Sequence, residues 1–108
     1  MDLNTYQTQA LLTDQVPGTS DDETAAALIV PMLGLAGETG QLLSEYKKHL
    51  RDGAAHRLFK DRVSEELGDL LWYIANVASK FGLDLDQVAE QNLYKVRARF
   101  APTSAQAP

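Results

Sequence analysis

An all-α fold of about four helices is what this chain predicts, and three observations carry it. Apolar residues recur at helical spacing along two long segments. Capping and breaking residues fall between the helical segments. Nowhere do apolar and polar residues alternate convincingly, as a half-buried strand would require. At 108 residues the chain holds one ordinary domain and has no room for a second core. We expect that domain to cover residues 1–100, with its core in 24–100, and residues 101–108 to be a flexible tail.

The first helix is expected over about 3–13, capped by Asp2. Residues 15–23 mix Pro17 and Gly18 with Asp21, Asp22 and Glu23, and read as a loop. The second helix is expected over 24–51, with Leu28, Met32, Leu35, Leu42, Tyr46 and Leu50 at helical spacing. Pro31 lies inside it and predicts a kink or a helix start. Asp52-Gly53 ends it. The third, over 57–81, has the cleanest period, in Val63, Leu67, Leu70, Ile74, Val77 and Phe81, and Gly82 terminates it. The fourth opens on Asp84-Leu85-Asp86-Gln87, a capping box, and continues to about Phe100.

Composition narrows the function. A net charge of -5 gives the chain little attraction for a nucleic-acid backbone, so no nucleic-acid partner is expected. With no cysteine, disulfides, thiolate metal sites and a cysteine nucleophile are excluded. Two histidines, His49 and His56, cannot form a three-histidine zinc site in one chain. They have no companion ligands and read as surface residues. No run of 18 consecutive apolar residues occurs, so no membrane partner is expected. Met1-Asp2-Leu3-Asn4 lacks a signal-peptide pattern, which favours the cytoplasm.

The acids are placed by helical geometry, at roughly 100° per residue. On the third helix Glu66, Asp69, Tyr73 and Asn76 form a stripe offset by roughly 95° from the apolar one. Glu65 and Trp72 point further away, and Trp72 is expected to pack at a subunit interface. On the second helix Glu38, Gln41 and Glu45 lie beside the apolar stripe, displaced in the same sense. If the two helices pack antiparallel, both polar stripes meet in one groove. Carboxylates converging there would repel one another unless a hard divalent cation, Mg²⁺ or Mn²⁺, sat among them. Gly34, Gly37 and Gly40 recur every three residues, which predicts a close helix approach or access for a ligand.

At these residues the sequence resembles a known family. Leu33-Gly34-Leu35-Ala36-Gly37-Glu38-Thr39-Gly40-Gln41-Leu42 is similar to the first motif of MazG-like nucleotide pyrophosphohydrolases. Glu65-Glu66-Leu67-Gly68-Asp69-Leu70-Leu71-Trp72-Tyr73 is similar to the second, and residues 92–100 to the last helix. The resemblance implies an all-α enzyme that uses Mg²⁺ or Mn²⁺ to cut a nucleoside triphosphate into a monophosphate and pyrophosphate. It also implies a homodimer or homotetramer and a role in nucleotide-pool housecleaning. Carried over residue by residue, Glu38, Glu66 and Asp69 become metal ligands. Gln41 stands where the family carries Glu, and gives up one negative charge while keeping a carbonyl oxygen. Glu45, one turn on, is the carboxylate that would replace it.

Roles for the remaining polar residues follow from this reading. Glu65 and Glu45 are both candidates to take the proton from the attacking water. Lys48, Asn92, Lys95 and Arg99 are candidates to hold phosphate, the last three from the fourth helix and even from a neighbouring subunit. Tyr73 and Asn76 are candidates for the pocket wall or the base. Two rivals remain: a phosphoribosyl-ATP pyrophosphohydrolase of the same architecture, and a helical dimerisation module weakened in catalysis by Gln41.

Overall fold

A computed structural model describes residues 1–19, 26–53 and 58–100. Among these are four helices and no strand: α1 (Leu3–Leu11), α2 (Ala26–Asp52), α3 (Phe59–Lys80) and α4 (Leu85–Arg99). The expected tail over 101–108, His56, and the expected start of the third helix at 57 lie outside the described residues. So does part of the expected loop over 15–23.

The capping signals hold. Asp2 accepts a hydrogen bond from the Thr5 amide at 2.7 Å, and Asp84 accepts one from the Gln87 amide at 3.0 Å. Each satisfies an amide that the first helical turn leaves without a partner. Gly53 and Gly82 take φ of 54° and 68°, the left-handed region that ends a helix at little cost to glycine. Pro31 does not start α2, because the helix already runs from Ala26 through it. The ring is buried, and its missing N–H forgoes the bond to the Ala27 carbonyl.

α2 and α3 make the most extensive helix pair, and α3 also packs on α1. α4 packs chiefly on α1. The buried apolar cluster is small: Ala10, Ala75, Ala78 and Leu85, with Leu3, Tyr6 and Trp72 against it. This corrects the expected core. The apolar stripe foreseen on α2 and α3 is half open, with Tyr46, Leu50, Leu67, Ile74 and Phe81 all exposed. Along α3 the residues that do bury are Ala75, Asn76, Ala78 and Lys80, close to the helix's C-terminal end.

Polar side chains draw α1 to the α3–α4 corner. Gln7 Nε2 donates to Ser79 Oγ at 3.1 Å and to the Leu83 carbonyl at 2.8 Å. Its Oε1 accepts from the Leu85 amide at 2.9 Å, and Asn4 Oδ1 accepts from the Asp86 amide at 2.9 Å. One buried glutamine thus satisfies groups at the end of α3 and the start of α4 that would otherwise be left unpaired.

By length and composition alone α2 is apolar enough to cross a bilayer, although its unbroken apolar run stops at Glu38, short of 18 residues. Its packing along α3, with Glu38 and Glu45 on the paired side, is the arrangement of a helical hairpin.

Candidate metal centre on the α2–α3 hairpin

α2 and α3 deliver three carboxylates to one point. Glu38 from α2, and Glu66 and Asp69 from α3, each offer an oxygen, and these atoms all lie within 4.8 Å of one another. The i, i+3 spacing of Glu66 and Asp69 puts both on one face of α3, as the sequence indicated. Glu66 Oε2 is buried and no hydrogen-bond donor meets it. The Glu66 carboxyl is raised above its ordinary range. The largest cause is its contact with the Glu38 carboxyl; loss of hydration and the charges of Glu38, Glu45 and Glu65 add to it. Such a group favours a proton or a cation.

The residues fit a hard divalent cation. The donors are carboxylate oxygens from two rigid helices, with no nitrogen or sulfur among them, and one is a buried oxygen awaiting a positive partner. That donor set suits Mg²⁺ or Mn²⁺.

The other expected residues are distributed around this point. Gln41 is exposed on α2, one turn from Glu38. Glu45 is buried, its charge acts on Glu66, and it faces Lys48 at 3.6 Å. Glu65 is exposed and accepts from Arg62 at 3.3 Å. Lys48 is therefore an ion-pair partner of Glu45. Asn92, Lys95 and Arg99 are exposed on α4, which packs chiefly on α1 and not along the seam that carries the acids. Tyr73 lies beside the cluster, in a groove of about 390 Å³ lined by Thr13, Glu38, Asp69, Trp72 and Tyr73. The same ring lies across Gly34, where a Cβ would collide with it. The close approach foreseen for the three glycines is confined to Gly34, because Gly37 and Gly40 face open space.

Two expectations are corrected. Trp72 does not point away from the acids. It lines the groove with Glu38 and Asp69, and its Nε1 donates to Thr13 Oγ1 at 2.8 Å. α1 and the segment after it supply the partners that turn the indole this way. His49 is not a plain surface residue: it stacks on Phe59 at 4.1 Å, and its Nδ1 is buried with no partner.

The contribution of α1 was missed altogether. Tyr6 has its phenol raised by burial and then by the Asp69 charge, which places the two near each other. Thr13 is part of the groove wall. No spacing in α1 signals this, because its role arises from tertiary packing.

An all-α hairpin presenting a Glu, Glu and Asp cluster defines a class of acidic-site helical proteins. Comparison gives the family. The MazG nucleotide pyrophosphohydrolase domain matches residues 30–102. The "Gene 37 protein" of Mycobacterium phage L5 is 35% identical over 101 residues, covering 92% of this chain and 89% of that protein. No solved structure matches the chain significantly. The chain belongs to the MazG nucleotide pyrophosphohydrolase family.

Proposed function

We propose that this protein hydrolyses nucleoside triphosphates to the monophosphate and pyrophosphate, with Mg²⁺ or Mn²⁺ held by Glu38, Glu66 and Asp69. The observation that carries the reading is the convergence of these three carboxylates on one point of the α2–α3 hairpin. When bound, the cation supplies charge neutralisation and lowers the pKa of the attacking water. Gln41 contributes a neutral carbonyl from the next turn of α2, and so holds the cation less firmly than a carboxylate would.

The protein's own residues then position and shield. Glu45 is the carboxylate placed to take the proton, because it is buried and its charge reaches Glu66, whereas Glu65 is exposed at the surface. Tyr73 and Trp72 wall the groove. Lys95, Arg99 and Asn92 meet phosphate in an assembly of at least two chains, since α4 packs mainly on α1 within its own chain.

A second copy is part of this reading. The Cα radius of gyration is 16.8 Å, against about 13 Å for a compact chain of this length. Leu43, Leu50, Leu67, Tyr94 and Phe100 are more than half exposed. Apolar surface of that extent marks an interface. Nucleic acid and membrane are not partners in this reading, and the setting is the cytoplasm, where it trims unwanted nucleotides from the pool.

The test is direct. The protein is incubated with Mn²⁺ or Mg²⁺ and a panel of ribo- and deoxynucleoside triphosphates, and the products are separated by chromatography. Monophosphate plus pyrophosphate, lost in Glu66→Ala and increased in Gln41→Glu, is the expected result. No turnover by the wild type or by Gln41→Glu would sink the reading and leave a helical dimerisation module. Turnover of phosphoribosyl-ATP alone would move it to that substrate.

A further inference from the structure

Behind the metal groove lies a second, smaller space. The segment Asp14, Gln15 and Val16 closes it on one side, Val30 and Pro31 of α2 on another, and Trp72, Tyr73 and Asn76 of α3 on the third. Its volume is about 110 Å³, room for several waters or a flat ring. Trp72 and Tyr73 line both spaces and form the partition between them, their rings edge to face at 5.0 Å.

The wall opposite this partition is pinned from far along the chain. Lys80 Nζ donates to Asp14 Oδ2 at 2.5 Å and to the Val16 carbonyl at 2.6 Å. The Lys80 side chain is 1% exposed and that of Asp14 is 7% exposed. Asp14 Oδ1 also accepts from the Val16 amide at 3.1 Å, which tightens the turn. Thr13 Oγ1, just before, takes the Trp72 indole N–H. A buried ion pair is a poor source of net stability but a strong geometric constraint once formed. Here it fixes the segment after α1 against the end of α3.

Inside this enclosure Asn76 is 3% exposed, and neither its Oδ1 nor its Nδ2 completes a hydrogen bond. Unmet buried amides are costly and uncommon. A primary amide offers one acceptor and two donors side by side, the complement of a nucleobase edge that carries a donor next to an acceptor.

We propose that this cavity receives the base of the nucleotide, that Asn76 reads the base edge, and that Lys80, acting through Asp14 and Val16, is the positioning residue that keeps the wall closed. The proposal rests on the pyrophosphohydrolase reading for the identity of the ligand. Its geometry places the base beyond the aromatic partition and the phosphates at Glu38, Glu66 and Asp69. A site that pairs with a polar edge rejects ligands lacking it far more strongly than a greasy slot rejects size differences, so selectivity among bases should reside at Asn76.

The test uses the single tryptophan, Trp72, as the reporter. The full chain, without divalent metal, is titrated with the four deoxynucleosides, which carry no phosphate, and separately with inorganic tripolyphosphate. Saturable change of Trp72 emission by at least one nucleoside, and none by tripolyphosphate, is the expected result. Asn76→Leu should weaken that nucleoside at least tenfold while leaving the melting temperature unchanged or raised. Val30→Phe, a substitution at a half-exposed position, fills the cavity from α2 and should abolish binding with the Asn76 amide intact. In turnover, Lys80→Met should raise KM more than it lowers kcat, and Asn76→Leu should flatten the discrimination among bases. If triphosphates are hydrolysed while no nucleoside perturbs Trp72, the cavity holds only water and the proposal falls, although the hydrolase reading stands. If a nucleoside binds with these mutational effects and nothing is hydrolysed, the cavity assignment stands and the hydrolase reading falls.

Discussion

The two ends of this molecule are held together by different means. Where α1 meets the end of α3 and the start of α4, a few apolar residues are buried, and Gln7, Asn4, Asp14 and Lys80 satisfy backbone and charge across the junction. Along α2 and the outer half of α4, large apolar side chains stand in water: Leu33, Leu43 and Leu50 on one, Leu93, Tyr94 and Phe100 on the other. The first region is complete within one chain. The second is patterned as a core but is left uncovered within the described residues of one chain. The carboxylate cluster lies between them, which ties its rigidity to both.

Breaking the complete end gives the largest expected loss of stability. Lys80→Met leaves the Asp14 carboxylate buried without its cation, and should cost about 3–5 kcal/mol in urea or thermal unfolding. Asp14→Leu with Lys80→Met removes both charges and should recover most of that loss. The exposed Arg62–Glu65 pair is the control: Arg62→Ala should change stability by no more than about 1 kcal/mol. Recovery absent from the double variant would mean that the pair contributes specific geometry as well as charge balance.

The incomplete end is probed by assembly. Leu43→Lys and Leu67→Lys place charges at exposed sites and should barely alter the folding of one chain. They should nevertheless shift light scattering from a dimer or larger towards a species near 11.9 kDa. A wild type already monomeric at micromolar concentration would remove the distinction drawn between the two ends.

Acid sharpens the same contrast. Burial pushes the Asp14 carboxyl up. Hydrogen bonds from Lys80 and the Val16 amide, together with the Lys80 charge, outweigh it and hold the group below its ordinary value of 3.8. A depressed folded-state pKa contributes stability that is present above the unfolded value and is lost as the pH falls through the folded one. Unfolding should therefore become easier below about pH 4. Asp14→Asn should flatten that part of the profile, while Glu65→Gln, at the exposed pair, should leave it in place.

What was legible in the sequence follows the same division. The four helices and the Glu38, Glu66 and Asp69 cluster could be read because both depend on periodicity within one helix or on two adjacent ones. Asn76 could be placed near the site by the same wheel. The clasp could not be read. Lys80 and Asp14 are 66 residues apart, and nothing in the local pattern marks either as buried. The orientation of Trp72 failed for the same reason, since its partner Thr13 lies in the turn after α1, 59 residues away, where no periodicity marks it. The apolar stripes were read correctly as patterns but assigned to the interior of one chain, because a helical wheel cannot say whether the covering surface comes from the same molecule.

The smallest effects should separate two glycines three residues apart. In a helix each costs up to about 1 kcal/mol relative to alanine, so both replacements start with the same favourable backbone term. At Gly37 a Cβ meets open space, and Gly37→Ala should raise the melting temperature of the chain by that margin. At Gly34 the Cβ would strike the Tyr73 ring, which lines both the metal groove and the cavity behind it. Gly34→Ala must therefore push the ring aside, cancelling the backbone gain and reducing turnover. If Gly37→Ala instead impairs assembly while Gly34→Ala does not, then the open face at Gly37 is occupied by a second chain. The glycine stripe would then belong to the incomplete end of the molecule.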